Sequence, residues 1–454
     1  MKHPNDIEKM NTNKNVFFMS LPIFVELLLQ LLVGNVDQMM VSRISQNAVA
    51  AIVNANQIVN LLIIFLSMTS TAVTILMSRY LGAEDEQNTS QTCMVSFLLI
   101  AVIGFLSAAL VFFGYPPLFA ALHVPEEIFE ETAAYLLIVG AFIPVQGFYL
   151  VISAMLRAFA LMKEVMIVSV IMNVLNIAGN AVLINGWFGL PQLGAIGAAI
   201  STDISKLAGL ILMVILLLKK TGIRLSVRHL NPFPGTILKN LCMLAIPSGI
   251  ESFSYNLSQM CILGIINSFG TLATVTKGYC SIIANVDYVY AIALSSATQI
   301  VLGYLIGAGM IVAIQKRVNA AAKAVLVICV GMAALVFCAR DYVFLLFTDH
   351  PEIIALGGRI LLVEIFLEIG RALNIVMAKC LIAVGDVITP TAVGIASQWG
   401  ISLAGAWLLG AYFGWGLEGV WIAMAIDECL RGVIFTLQFK RGAWKKNFRA
   451  AETL

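Results

Sequence analysis

Long apolar runs alternate with short polar breaks along the whole chain. A membrane helix needs about 20 mostly apolar residues, because the hydrocarbon core is about 30 Å thick and each backbone group must be satisfied within the segment. That rule predicts twelve spans, at 16–40, 48–78, 91–114, 130–156, 163–184, 194–218, 237–267, 281–307, 318–339, 352–382, 389–412 and 416–439. No series of short period-two strands appears, which argues against a β-barrel. The first run comes after a short charged tail without a clear small-residue cleavage site, so it reads as an anchor.

The pattern repeats. Shifted by 225 positions, Pro22-x-x-x-Glu26 falls on Pro247-x-x-x-Glu251, and Leu81-Gly82-Ala83 falls on Ile306-Gly307-Ala308. Residues 160–165 fall on Gly385-Asp386-Val387-Ile388-Thr389-Pro390. Near the sixth and twelfth spans the offset is 222, and Gly194-x-x-Gly197 meets Gly416-x-x-Gly419. The repeating unit is six helices. Six is even, so both copies run the same way through the bilayer. The fold expected is an all-α polytopic membrane protein of twelve transmembrane helices. They form two six-helix bundles in parallel repeat, related by a pseudo-twofold along the membrane normal, around a central cleft. The divisions are a tail 1–15, a bundle 16–218, a linker 219–236, a bundle 237–439 and a tail 440–454.

Composition agrees. Hydrophobic residues make up 60% of the chain and charged residues 11%, against about 25% charged in soluble domains. Too few charges exist to cover a soluble globule of this size, which excludes an ordinary soluble enzyme, a disordered protein and a nucleic-acid binder. Net charge is only +2, so placement matters more than balance. With the N-terminus inside, the inner loops and tails hold about 19 Lys and Arg. The outer loops hold Arg43, Lys277 and Arg340. The asymmetry places both termini in the cytoplasm and the protein in the inner (plasma) membrane. The eight cysteines are isolated, and the histidines fall in the tail or in loops, so no metal cluster is indicated.

Ionisable groups inside a span cost about 2.5–3.5 kcal/mol each on insertion scales and mark polar interiors. The first bundle carries Glu26 and Asp37 on span one, Asp203 with Lys206 on span six, and Asn173, Asn176 and Asn180 along one face of span five. A carboxylate opposite amide oxygens suits a proton or a small cation. Lys206, three residues from Asp203, is expected to neutralise it. The second bundle carries Glu251, then Glu364, Glu368 and Arg371 on span ten, then Asp427, Glu428 and Arg431 on span twelve. Glu251, Glu368, Asp427 and Glu428 outnumber Arg371 and Arg431, so at least one acid takes a proton, binds a cation or reaches water. The repeated pair Glu26 and Glu251 suits a shared structural or gating role, whereas Asp37 falls on Ile262 and is not repeated.

Taken in order, these residues resemble the multidrug and toxic compound extrusion (MATE) family. The resemblance rests on Pro22-x-x-x-Glu26 with Asp37 after it, the Leu81-Gly82 turn, Asn173-x-x-Asn176 and the Ala383-Val384-Gly385-Asp386 turn. The stretches Glu368 to Asn374 and Trp421 to Glu428 look like its YoeA-like bacterial branch. The resemblance implies a cation-coupled antiporter that exports organic, often cationic or amphipathic drugs or toxic metabolites by alternating access, as H⁺ or Na⁺ enters. It implies that Asp37 is the coupling carboxylate, with Asn176 and Asn180 beside it. Many relatives place an acid where Asn180 stands. Glu251 matches an acid implicated in cation binding in NorM-like members, and Glu368 is the nearest counterpart of their span-ten aspartate. No cofactor is expected beyond the coupling ion, no metal beyond sodium at Asp37, and no nucleic-acid partner; a monomer in the lipid bilayer is expected. The 19 methionines suit adaptable apolar walls.

Two rivals remain. A flippase for lipid-linked saccharides shares the superfamily plan but should line its cleft with unpaired cations. A membrane enzyme should show paired metal ligands, a Ser/His arrangement or a phosphate loop, and the spans show none.

Overall fold

The computed structural model of the chain describes residues 6–42, 45–189, 191–223 and 225–445, without the side chains of 32–39, 121, 188 and 227. The order is a short α1 (Ile7–Met10), then α2 (Asn13–Ser42), α3 (Gln46–Gly82), α4 (Glu86–Leu122), α5 (Phe129–Ala141), α6 (Ile143–Ala158), α7 (Met162–Asn185) and α8 (Gly194–Leu216). It continues with α9 (Gly235–Asn267), α10 (Thr271–Gly307), α11 (Ile311–Cys338), a short α12 (Arg340–Leu345), α13 (Pro351–Ala383), α14 (Ile388–Ser397) and α15 (Gly416–Arg441). Helix α14 runs on into two π-helical segments, Gln398–Leu403 and Ala406–Tyr412.

Among the described residues, with α5 and α6 taken as one bent span and α14 joined to its π segments, the long helices number twelve. Among the described residues, eight are long and apolar enough to cross a bilayer, and α5–α6, bent by 44°, makes a ninth. The other three, α9, α13 and α15, carry Glu251, the Glu364–Arg371 group and the Asp427–Arg431 group. Clustered charges set α13 and α15 apart, whereas in α9 Glu251 is joined by Ser252, Ser254, Asn256, Ser258 and Gln259. The eighth span begins at Thr271, not at 281, so Lys277 lies inside α10 and not in a loop. Its first turns hold Thr, Gly and Lys, which a hydropathy rule reads as a break and a helix tolerates at a membrane surface.

Local chemistry sets several helix ends. Ser45 Oγ accepts from the Ala48 N–H (3.2 Å) and Asp85 Oδ1 from the Asn88 N–H (2.9 Å), opening α3 and α4. Asp386 Oδ1 accepts from the Thr389 N–H (3.1 Å) at the start of α14. Helix α7 stops at Gly186, whose φ of +72° favours glycine. On α11, Val318, Val325 and Cys329 are buried while Val327 and Leu335 are 72% and 70% exposed. Such an apolar outer face is stable only against lipid.

The chain divides into two compact units, Val25–Ala245 and Ile246 onward, the latter joined by Asp6–Phe24. The divisions fall beside Pro22 in α2 and Pro247 in α9, the repeated prolines. In the first unit α3, α4 and α6 pack together, and α7 lies against α8. In the second unit α13 is the hub, packed on α15, α10 and α11. Helix α10 is the most enclosed of the apolar spans, 83% buried over its apolar stretch.

The repeat reappears as matching close approaches. A Cβ on Gly197 would meet the Leu183 carbonyl oxygen at 2.7 Å, and one on Gly419 the Leu409 carbonyl oxygen at 2.7 Å. A Cβ on Gly179 would overlap Ser201 Oγ, and one on Gly405 would meet the Ala423 Cβ at 3.0 Å. Each unit therefore locks its fifth and sixth helices together at equivalent places.

Candidate functional site

The second unit holds a continuous buried polar network. On α13, Glu364, Glu368 and Arg371 share one face by their spacing. Arg371 Nη1 donates to Glu364 Oε1 (2.8 Å) and also to Glu368 Oε1. Its guanidinium lies over the Tyr288 ring, 5.5 Å from the centroid. On α15, Arg431 Nη2 donates to Asp427 Oδ2 (2.7 Å) and Glu428 Oε1 (2.8 Å). Cross-helix bonds tie the two groups: Trp421 Nε1 donates to Glu364 Oε2 (2.6 Å), and Asn374 Nδ2 to Glu428 Oε2 (2.7 Å). Contacts climb together along both helices, so α13 and α15 run parallel. The end of α14 and the start of the first π segment supply the remaining link. Gln398 Nε2 donates to Glu251 Oε1 (2.8 Å), and Ser397 Oγ to Asp427 Oδ1. π segments are frequent at functional sites because the wide turn re-aims side chains.

The structure thus brings together all the expected second-bundle residues: Glu251, Glu368, Arg371, Asp427, Glu428 and Arg431. Glu364, read with them on span ten, joins the group, and the structure adds Asp287 from α10, which is 1% exposed and feels the charges of Glu364 and Arg371. Six carboxylates then face two arginines. Each arginine serves two acids, leaving Glu251 with an amide donor and Asp287 without any hydrogen bond to its buried Oδ1 among the described residues. Sequence reasoning passed over Asp287, although it is the only acid on an apolar helix and the cost of an intramembrane charge marks it. The partners Trp421, Asn374, Ser397 and Gln398 are cross-helix and carried no local signal. Among the described residues no three His, Cys, Asp or Glu side chains converge as a metal cage.

The indole bond to Glu364 can be tested directly. Trp421→Phe keeps most of the ring and removes the donor, and should cost about 1.5–3 kcal/mol, as for bonds to charged groups. The readout is a lower melting temperature in detergent. A melting temperature equal to wild type would show that the bond contributes nothing.

In the first unit Asn173, Asn176 and Asn180 are all buried on α7. Asn176 Nδ2 donates to Thr202 Oγ1 (3.1 Å), its carbonyl accepts from Ser201 Oγ (2.9 Å), and Asn180 Nδ2 lies 3.5 Å from Asn176 Oδ1. Asn173 Nδ2 has no partner among the described residues. Asp37 belongs to α2, but its side chain lies outside the described residues. Glu26 Oε1 accepts from Arg157 Nη2 (2.7 Å), whereas its repeat mate Glu251 accepts from an amide. The two repeated acids have different partners. Asp203 is buried with neither carboxylate oxygen hydrogen-bonded among the described residues, and Lys206 acts on it through charge. The three-residue spacing keeps the pair on one side of α8, where the Lys206 charge acts on Asp203 without a hydrogen bond to either carboxylate oxygen.

Residues 22–182 and 247–408 both match the MatE family profile. The chain belongs to the MatE family. The two matched stretches start 225 positions apart, the offset read from the sequence repeat. This MatE protein is 34% identical over 430 residues to the uncharacterized transporter YisQ of Bacillus subtilis, covering 95% of this chain and 94% of that one. It is 25% identical to the probable multidrug resistance protein YoeA of the same organism, over 94% of this chain and 92% of that one. A probable multidrug resistance protein NorM of Thermotoga maritima matches at 24% over 95% and 93%. Among solved structures, a MATE crystal structure in the bent conformation superposes with TM-score 0.91 at 18% identity, covering 99% of this chain and all of that one. A MOP superfamily transporter from Pyrococcus furiosus superposes with TM-score 0.89 at 18% identity, over 98% and 100%. These likenesses establish the two-repeat helical transporter fold. The MatE chain is a polytopic membrane transporter of the multidrug efflux family, not an enzyme.

Proposed function

We propose that this transporter exports organic, cationic or amphipathic compounds from the cytoplasm by alternating access, in exchange for H⁺ or Na⁺. The observation that carries the coupling is the charge imbalance in the second unit, where five buried carboxylates and the half-buried Glu251 stand against two arginines, each paired with two acids. Leaving several buried carboxylates ionised and unpaired is too unfavourable, so that unit must take up protons or cations. The names of the YoeA and NorM relatives support drugs as the cargo. In this reading Asp37, with Asn173, Asn176 and Asn180, couples the first unit to an ion. Glu251, Glu368, Arg371, Asp427, Glu428 and Arg431 do so in the second. The protein works as a monomer in the plasma membrane with both termini in the cytoplasm, as the Lys and Arg distribution supports.

The flippase reading needs free cations for a pyrophosphate. Here Arg157, Arg359, Arg371 and Arg431 all have carboxylate partners, and Lys379 Nζ donates to Ser296 Oγ (2.5 Å). The deciding experiment is ethidium flux in proteoliposomes with a pH gradient and a sodium gradient imposed separately. Flux should track one of them. Flux that responds to neither would overturn the antiport reading.

A further inference from the structure

A cleft of about 580 Å³ opens where α11 ends and α13 begins. Phe337, Ile354 and Leu362 wall it, and its charged groups are Arg340, Asp341 and Arg359. All of them belong to the second unit. Two glycines of α13 shape the cleft. The Phe344 ring of α12 fills the space a side chain at Gly357 would need, and a Cβ on Gly358 would meet Arg340 Cδ at 3.3 Å and Nε at 3.4 Å. The arm of Arg340 therefore lies against α13, one position before Arg359. Its guanidinium is fixed twice more. It sits 4.7 Å over the centre of the Phe337 ring, and Nη1 donates to the Phe337 carbonyl oxygen (3.2 Å).

Neither cation is used up. Arg359 Nε donates to Glu418 Oε1, and Arg340 Nε lies 3.7 Å from Asp341 Oδ1. Arg359 is 60% exposed and Asp341 69%, and ion pairs so exposed are weak. Arg340 Nη2 and both Nη atoms of Arg359 donate to nothing among the described residues. Past the arginines the surface turns apolar. Ala355, Arg359, Leu362, Phe366 and Ile369 make one exposed stripe along α13. Leu362 lines the cleft, and Phe366, one turn on, is 60% exposed. The first half lacks the pair: 225 positions before Arg340 and Arg359 stand Tyr115 and Ala134. The repeated scaffold therefore does not require these two cations.

The geometry points to a binding site for one anionic phospholipid. Its phosphodiester rests on Arg340 and Arg359, and an acyl chain runs along Leu362 and Phe366. Guanidinium groups offer planar, paired donors that match phosphate oxygens, and basic pockets between membrane helices recognise lipid headgroups. A zwitterionic lipid brings its own cation beside the phosphate, so the arginines attract it less. A free phosphate gains nothing from the apolar stripe. Once bound, the lipid bridges α11 and α12 to α13, the hub of the second unit. Binding changes no covalent bond and needs no coupling ion, so the site stands apart from the antiport reading.

The test is native mass spectrometry of the delipidated transporter titrated with phosphatidylglycerol or phosphatidylcholine. One phosphatidylglycerol should be retained per transporter, about tenfold or more tighter than phosphatidylcholine. Arg340→Gln and Arg359→Gln should each weaken its retention by about tenfold. Arg340→Gln carries the test if Arg359→Gln fails to fold. Leu362→Asn should also weaken retention, and inorganic phosphate should fail to displace the lipid. Undiminished retention by the double arginine variant overturns the site. Equal retention of the two lipids overturns recognition of the net charge. Displacement by inorganic phosphate, with Leu362→Asn binding as wild type, would mean a site for the free ion and overturns the lipid assignment.

Discussion

Arg371→Leu should destabilise the transporter by about 3–5 kcal/mol, the range for breaking a buried ion pair from one side. The loss comes from what is left behind. Glu364 and Glu368 both accept from Arg371 Nη1, and both are buried, Glu368 fully so. Removing the guanidinium leaves two carboxylates, one of them already carrying an orphaned oxygen, beside Asp287. It also removes the cation from the face of Tyr288. Thermal unfolding in detergent, monitored by size-exclusion chromatography, reads the effect as a large drop in melting temperature. A triple variant, Arg371→Met with Glu364→Gln and Glu368→Gln, should regain much of the loss, because the arginine and both of its acids are then replaced together by neutral side chains. An Arg371→Leu protein that melts with the wild type would show that the arginine is not what holds these acids.

Gly370→Leu should disrupt the second unit at least as severely. A Cβ at 370 would overlap the Cys429 nitrogen and meet the Glu428 carbonyl carbon at 2.6 Å. Those are backbone atoms, so no side chain can rotate away. Across the same seam a Cβ at Gly432 would meet the Gly370 carbonyl oxygen at 3.0 Å. The two glycines let α13 and α15 approach backbone to backbone, as small residues do between membrane helices. Overpacking alone costs about 1–3 kcal/mol. Here separation of the helices also stretches the bonds from Trp421 to Glu364 and from Asn374 to Glu428. Gly370→Ala should show a smaller version of the same defect. The measurement is the fraction recovered as a monodisperse peak after extraction. Normal recovery of Gly370→Leu would contradict the close approach.

Much of this was legible in the sequence because it is local. Helix-length apolar runs gave the spans, and matched landmarks gave the repeat. The spacing of Glu368 to Arg371 and of Glu428 to Arg431 put each pair on one helix face before any contact was known. Contacts between helices left no such trace. Nothing near Gln398 in the chain points to Glu251, and nothing near Trp421 points to Glu364. Asp287 was missed because it has no charged residue one turn away to draw attention to it.

The π segment after α14 shifts the register of the second half against the first by one residue. Before it, Gly385 stands 225 positions after Ala160. After it, Leu409 makes the contact that Leu183 makes, and Gly405 the contact that Gly179 makes, each 226 positions on. The extra residue lies in between, where Gln398–Leu403 winds more widely than an α turn. The wide turn therefore absorbs a one-residue insertion without rotating the rest of the helix. Asn176 and Asn180 correspond in space to the buried Ser402 and Ala406, not to the residues that a fixed count would choose. At those two places the second half presents a hydroxyl and a methyl group where the first presents amides, while the helix axis keeps the same aim.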